Sequence, residues 1–305
     1  MNTHYPLSRR QILLATAALC GLTSAAASSP QNHAPLAALE RTVGGRLGVA
    51  LLDTASGALV GHRQGERFGM CSTFKLPLAA VILREADLGQ LDLDRRVPYN
   101  KADMVAHAPV TGRHLARGHM SAAALAEATQ VTSDNPAANL LLKLIGGPAG
   151  MTTRLRAIGD MTTRVDRFEP AMNIVPAGEE RDTTTPDAMA ALVQRITLGE
   201  VLKPASRARL IGWMEKTETG LQRLRAGYPP SWRAGDKTGT YWGDDMPGKC
   251  NDVAICWPSG RAPLIVTAFY ETPAPRRDGL DEVDEAVLAE VGRIAVAWWT
   301  ATSGT

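Results

Sequence analysis

Read for the alternation of apolar and polar positions, the chain falls into three stretches. Near its start, apolar residues alternate over Arg46–Asp53 and again over about Ala58–His62, across the turn Thr54-Ala55-Ser56-Gly57. A period of two belongs to a half-buried strand, and the turn residues between the two runs predict a hairpin. From Ser72 to about Thr217 the period lengthens. Ser72–Ala86, Ser121–Thr129, Asn135–Ile145 and Pro186–Leu198 carry apolar residues three and four apart, the spacing of helices with one buried face. Pro136 suits the first turn of its helix, where the missing N–H costs nothing. Strand patterns return at Trp232–Thr240, Asn251–Trp257 and Pro263–Tyr270. A last helix is predicted over about Glu282–Thr300, with Trp298 and Trp299 as core residues.

Strand-forming segments from both ends thus bracket a helical block. Strands distant in sequence most economically share one sheet. The expected fold class is α/β plus all-α: an antiparallel sheet flanked by helices, with an inserted helical domain. The expected division is an α/β domain of residues 28–64 and 217–305 around an all-α domain of 65–216. The cleft between them is the expected place for a small-molecule site.

Composition narrows the function. With 305 residues, 45% hydrophobic and 21% charged, the chain has the profile of a soluble globular protein, not of a collagen-like, disordered or repeat protein. It holds 33 basic and 31 acidic residues. Two of the basic ones, Arg9 and Arg10, lie in residues 1–27, which read as a cleaved export signal. Ser8-Arg9-Arg10-Gln11 leads into the apolar run Ile12–Leu22, and Ala25-Ala26-Ala27 offers a cleavage site. The run, about 11 residues, is too short to span a bilayer as a helix. The paired arginines resemble a twin-arginine signal, so the expected location is the periplasm. Cys20 follows Leu19, where lipid attachment would need a small residue. A neutral mature chain carries no electrostatic footprint for nucleic acid or an anionic membrane. The expected partner is a small molecule, and the expected state a monomer. Cys71, Cys250 and Cys256 show no C-x-x-C or Cys/His spacing, and His114 and His119 lie off one helical face, so no metal site is expected.

Three short strings carry chemistry. Ser72-Thr73-Phe74-Lys75 opens a predicted helix, with the lysine one turn after the serine on the same face. A serine hydroxyl needs a neighbouring base to become a nucleophile, and Lys75 can act as that base or orient it. The helix start adds N–H groups and a positive dipole end that favour a developing oxyanion. Ser133-Asp134-Asn135 also opens a helix, where all three residue types serve as caps. Functionally, Ser133 can relay a proton to a leaving nitrogen while Asn135 donates its amide to a substrate carbonyl. Lys237-Thr238-Gly239-Thr240 lies on a predicted strand. There Gly239 admits a ligand to the backbone, and Thr240 N–H can complement that of Ser72 as an oxyanion donor.

Each string occurs once, in the order S-x-x-K, S-D-N, K-T-G, the set of class A β-lactamases and penicillin-binding proteins. Over nearly all of its mature length the chain resembles a class A β-lactamase. Arg167-Phe168-Glu169-Pro170-Ala171-Met172-Asn173, followed by Arg181-Asp182-Thr183-Thr184-Thr185-Pro186, is similar to that family's Ω-loop. The resemblance implies a general base at Glu169, a water-holding amide at Asn173, a loop-closing ion pair between Arg167 and Asp182, and a cis Glu169–Pro170 bond. It implies β-lactam ring hydrolysis through an acyl-enzyme on Ser72, with broad spectrum, conferring resistance and needing no cofactor. Lys237, Thr238, Gly239, Thr240, Asn135 and Asn173 are the implied substrate contacts. His107, in Ala106-His107-Ala108-Pro109, takes the place of an aromatic at the cleft mouth, a solvated loop histidine being the alternative. Arg223 lies where some members place the arginine that meets the substrate carboxylate. A D,D-peptidase shares the three strings but has no need of the Glu169 loop, and a binding-only sensor would dispense with the glutamate.

Two departures stand out. The hairpin 241–250 is about four residues longer than is usual for the family. Cys71 precedes the nucleophile, as in class A carbapenemases, but Tyr241 occupies the place of its disulfide partner; Cys250 is one substitute, and no spacing decides which of the three mature cysteines pair.

Overall fold

The structure, a computed structural model, describes residues 33–302; the export signal read in residues 1–27, Cys20 included, lies outside them. In chain order the elements begin with α1 (Ala34–Val43), β1 (Arg46–Asp53), β2 (Leu59–His62) and β3 (Phe68–Gly69). A 3-10 turn (Cys71–Phe74) leads into α2 (Lys75–Asp87), β4 (Arg96–Pro98), β5 (His119–Ser121), α3 (Ala122–Val131), α4 (Asn135–Leu144) and α5 (Gly147–Ala157). There follow β6 (Thr183–Thr184), α6 (Pro186–Thr197), α7 (Pro204–Glu215), β7 (Arg233–Tyr241), β8 (Gly243–Trp257), β9 (Leu264–Arg276) and α8 (Glu282–Thr302).

The five-stranded antiparallel sheet has the order β2-β1-β9-β8-β7, so the first long strand pairs with the last, from Arg46↔Glu271 to Asp53↔Leu264. Side chains alternate between its faces. One face, with Leu47, Val49, Leu51, Val266 and Ala268, packs on Leu36 of α1 and Leu288, Val291 and Ala295 of α8. Trp299 is buried in this cluster and Trp298 lies partly buried against it. The other face, with Ala50, Val253, Ile255, Ile265 and Phe269, continues into the helical block through Phe74, Leu78, Met189 and Val193. Sheet and helices therefore share one core across their junction, and that junction carries the site.

Caps set where the helices begin. Asp134 accepts from Ala137 N at 2.9 Å to start α4, with Pro136 in its first turn. Ser121 caps α3 through Ala124 N, and Thr185 caps α6 through Ala188 N. The helix predicted from Ser72 starts as a 3-10 turn and becomes α-helical at Lys75, a tightening common at helix N-termini. α2 is buried on nearly every side, more than an amphipathic pattern implies. β8 starts eight residues before the predicted strand and β9 ends six after it. The extra lengths pair with each other through bulges, as in Gly243↔Arg276 and Pro247↔Pro275.

Candidate active site

Four elements converge on one serine. The turn Cys71–Phe74 packs against β7, the edge strand of the sheet, and Gly239 makes this approach possible: a Cβ there would lie 2.5 Å from Met70 O. The start of α4 brings Ser133 and Asn135. The segment before β6 brings Glu169 and Asn173.

Lys75 Nζ is the hub. It donates to Ser72 Oγ at 2.9 Å, to Ser133 O at 2.8 Å and Ser133 Oγ at 3.3 Å, and to Asn135 Oδ1, and lies 3.0 Å from Glu169 Oε1. Its side chain is fully buried, and burial lowers its pKa from the ordinary lysine value against the opposing pull of Glu169. Ser72 Oγ in turn donates to Glu169 Oε1 at 3.4 Å. Lys237 Nζ donates to Ser133 Oγ at 3.1 Å, so Ser133 stands between the two lysines. Burial, reinforced by the Lys75 ammonium, pulls Lys237 down to about 7.

Glu169 is held from both sides. Its backbone N–H donates to Asn139 Oδ1 and its carbonyl accepts from Asn139 Nδ2, both at 2.9 Å. Asn173 Nδ2 donates to Glu169 Oε2 at 2.6 Å, and the Glu169–Pro170 bond is cis. The segment is closed by Arg167 Nε on Asp182 Oδ2 at 2.6 Å, with the N–H groups of Asp166 and Arg167 on Asp182 Oδ1. Left-handed backbone at Cys71, His107, Ser133 and Asp182 clusters around this site, as strained positions do where surroundings over-determine them.

The remaining predicted residues line its edge. Asn135 Nδ2 donates to Ala106 O at 2.9 Å, leaving its second proton for another acceptor. His107 is exposed, its Nε2 2.9 Å from Thr132 O. Thr238 Oγ1 lies 2.7 Å from Thr219 Oγ1. Arg223 is buried, its guanidinium donating to Gly239 O, to Asn251 O and to Thr240 Oγ1 at 2.8 Å. It therefore reaches the cleft through the Thr240 hydroxyl.

The substitute disulfide is not formed: Cys71 and Cys250 are both free thiols, and Cys256 is a third. Cys250 points to the α8 face of the sheet, whereas the turn bearing Cys71 packs on β7 from the opposite side, the side to which the next residue, Asn251, points. Burial pushes both thiols up to about 12. Asn139 and Asn251 were not singled out in the sequence. Asn139 had one usable signal, its place one turn after Asn135 on the same helix face. Among the described residues, no group of three or more His, Cys, Asp or Glu could hold a metal ion.

Comparison with known proteins gives the family. The model of the β-lactamase enzyme family matches residues 33–299. The chain belongs to the β-lactamase enzyme family. Among relatives of this family, β-lactamase L2 of Stenotrophomonas maltophilia is 50% identical over 276 residues, 88% of each chain. A carbapenem-hydrolyzing β-lactamase KPC of Klebsiella oxytoca is 41% identical over 292 residues, 95% of this chain and 97% of the relative. The solved structure of an ancestral class A β-lactamase superposes with a TM-score of 0.82 at 50% identity, covering 88% of this chain and 99% of that one. A β-lactamase from Xanthomonas campestris pv. campestris gives 0.80 at 50% identity, over 86% and 95%. The β-lactamase described here is thus of class A, and its fold class is as expected.

Proposed function

We propose that this β-lactamase opens the lactam ring through an ester on Ser72, and hydrolyses that ester with water activated by Glu169. Ser72 Oγ attacks the lactam carbonyl. Its proton passes to Lys75, whose Nζ lies 2.9 Å away, or, through a water, to Glu169, whose Oε1 lies 3.4 Å away. As the C–N bond breaks, Ser133 hands its proton to the departing ring nitrogen and is resupplied from Lys75. The oxyanion sits between the N–H groups of Ser72 and Thr240. Lys237, Thr238 and Thr240, with Arg223 behind Thr240, receive the substrate carboxylate. Asn135 receives the amide side chain, and His107 edges the mouth. Water held by Glu169 and Asn173 then attacks the ester carbonyl, Glu169 takes its proton, and the Ser72 oxygen leaves with a proton returned to it.

The observation that carries this reading is the double tether of Glu169. One carboxylate oxygen faces Ser72 Oγ and the other is fixed by Asn173, the arrangement a hydrolytic base requires and a non-hydrolysing acylated protein would not. The substrates are β-lactam antibiotics of broad spectrum. The mature protein acts as a monomer in the periplasm, exported by the twin-arginine route, with a sheet domain (28–64, 217–305) and a helical domain (65–216). Among the described residues no helix is long and apolar enough to cross a membrane. The test is turnover of nitrocefin, then of one penicillin, cephalosporin, monobactam and carbapenem. Hydrolysis of many equivalents per enzyme is expected; a single equivalent followed by a stable adduct contradicts the reading.

A further inference from the structure

The nucleophile follows a strained residue. Cys71 has φ +47°, a conformation unfavourable for a residue with a Cβ, which persists only where the surroundings impose it. No disulfide imposes it here, since Cys71 is a free, fully buried thiol. The carbonyls just before it are held by one side chain from another strand. Asn251 of β8, 1% exposed, donates from Nδ2 to Gly69 O at 2.9 Å and to Met70 O at 3.1 Å. Met70 O also accepts from Thr73 N and Thr73 Oγ1, which closes the turn around Ser72. From the other end, Met70 N donates to Asp182 O at 3.1 Å. Two residues along β8, the buried stem of Lys249 packs over Gly69: a Cβ on that glycine would stand 3.1 Å from Lys249 Cε.

From this arrangement we infer that Asn251 is a positioning residue for the nucleophile. By gripping the Gly69 and Met70 carbonyls it holds Cys71 left-handed, and so aims both the N–H and the Oγ of Ser72. An oxyanion donor is effective only when fixed before charge develops. Loosening the grip therefore weakens transition-state binding more than substrate binding. The inference rests on the acyl-enzyme reading of Ser72, and the test separates the two.

Asn251→Ala and the isosteric Asn251→Asp, which turns a donor into an acceptor facing two carbonyls, are each made alone and on Glu169→Gln. Circular dichroism establishes folding. Stopped-flow acylation and the infrared stretch of the acyl carbonyl on Glu169→Gln give the readout. We expect folded Asn251→Ala to acylate about 10- to 100-fold more slowly, of the order seen for a misplaced reacting group. KM should change far less than kcat. The acyl carbonyl band should shift to higher frequency, as a more weakly hydrogen-bonded carbonyl does, and Asn251→Asp should exceed Asn251→Ala in both effects. Acylation within twofold of the parent with an unchanged band overturns the inference. So does failure of both variants to fold, which would assign Asn251 to the fold alone. If Glu169→Gln with native Asn251 forms no acyl-enzyme, it is the reading of Ser72 and Glu169 that fails instead.

Discussion

Lys237 shows how far a single side chain departs from its solution behaviour here. Buried beside Lys75, it loses its proton near pH 7 instead of above 10. In its proposed role it is a cation for the substrate carboxylate below that pH, and above it the attraction is lost. Bound carboxylate favours the charged form and raises the pKa in the complex. For an anionic β-lactam, kcat/KM, which reports the free enzyme, should fall as pH rises through about 7, while kcat holds to higher pH. Steady-state profiles from pH 5 to 9.5 check this, and a kcat/KM flat to pH 9 contradicts it. Asn139 acts one step further back, through the backbone of Glu169. Asn139→Ala should slow deacylation by about 10- to 100-fold while leaving the acylation burst nearly intact; pre-steady-state kinetics separate the two. Ser72, Lys75, Ser133 and Lys237, which the fold brings together, each sit in a short string legible in the sequence, and Glu169 is reached through the resemblance of its loop to the family's. Asn139 and Asn251 could not be found there, because they work by gripping carbonyls or N–H groups that only the folded chain brings near.

The segment bearing Glu169 is a loop whose ends are drawn together around Asp182. That carboxylate is fully buried and meets Arg167 Nε and two backbone N–H groups. Asp182→Asn keeps an acceptor for the N–H groups but leaves the Arg167 cation without its anion. It should cost about 3 kcal/mol in urea unfolding, since breaking one side of a buried pair strands the other charge. Deacylation should slow more than acylation, because the loop carries the proposed base and not the proposed nucleophile. Helices α2, α3, α4, α6 and α8 and the central strands followed from apolar spacing, whereas α1, α5 and α7 were not read from it. The extended β8–β9 ribbon did not: Gly243, Pro247, Gly248, Pro273 and Pro275 interrupt any alternation, and its pairing depends on bulges that re-register the strands. The two-stranded pairs β3–β6 and β4–β5 are too short to leave a periodic trace.

Two clusters hold the fold, one between the sheet and helices α1 and α8, the other running from the sheet into the helical block. No disulfide joins the described cysteines, so stability comes from burial. Dithiothreitol should leave both the melting temperature and nitrocefin turnover unchanged; a fall of several degrees would reveal a bridge that free thiols do not allow. Ser72, Lys75 and Glu169 lie across the sheet from the α8 cluster, and α8 meets the edge of the site where Glu285 pairs with Arg223 at 3.0 Å. Leu288→Ala, in the first half of α8, should cost about 2–5 kcal/mol of stability while kcat at 20 °C stays within twofold of the parent. That the chain's two ends would share a sheet was readable from where its strand patterns fell. That both halves would share a core across the junction was not, because both partners simply read as apolar.

The claim on which the rest depends is that Glu169 performs the second half of the reaction and Ser72 the first. Intact-protein mass spectrometry of Glu169→Ala, sampled from milliseconds to minutes after mixing with a penicillin, tests it most directly. A protein heavier by one whole penicillin is expected, attached at Ser72 and persisting for minutes while the parent shows none at steady state. A Glu169→Ala enzyme that turns over at the parent's rate with no adduct would contradict it.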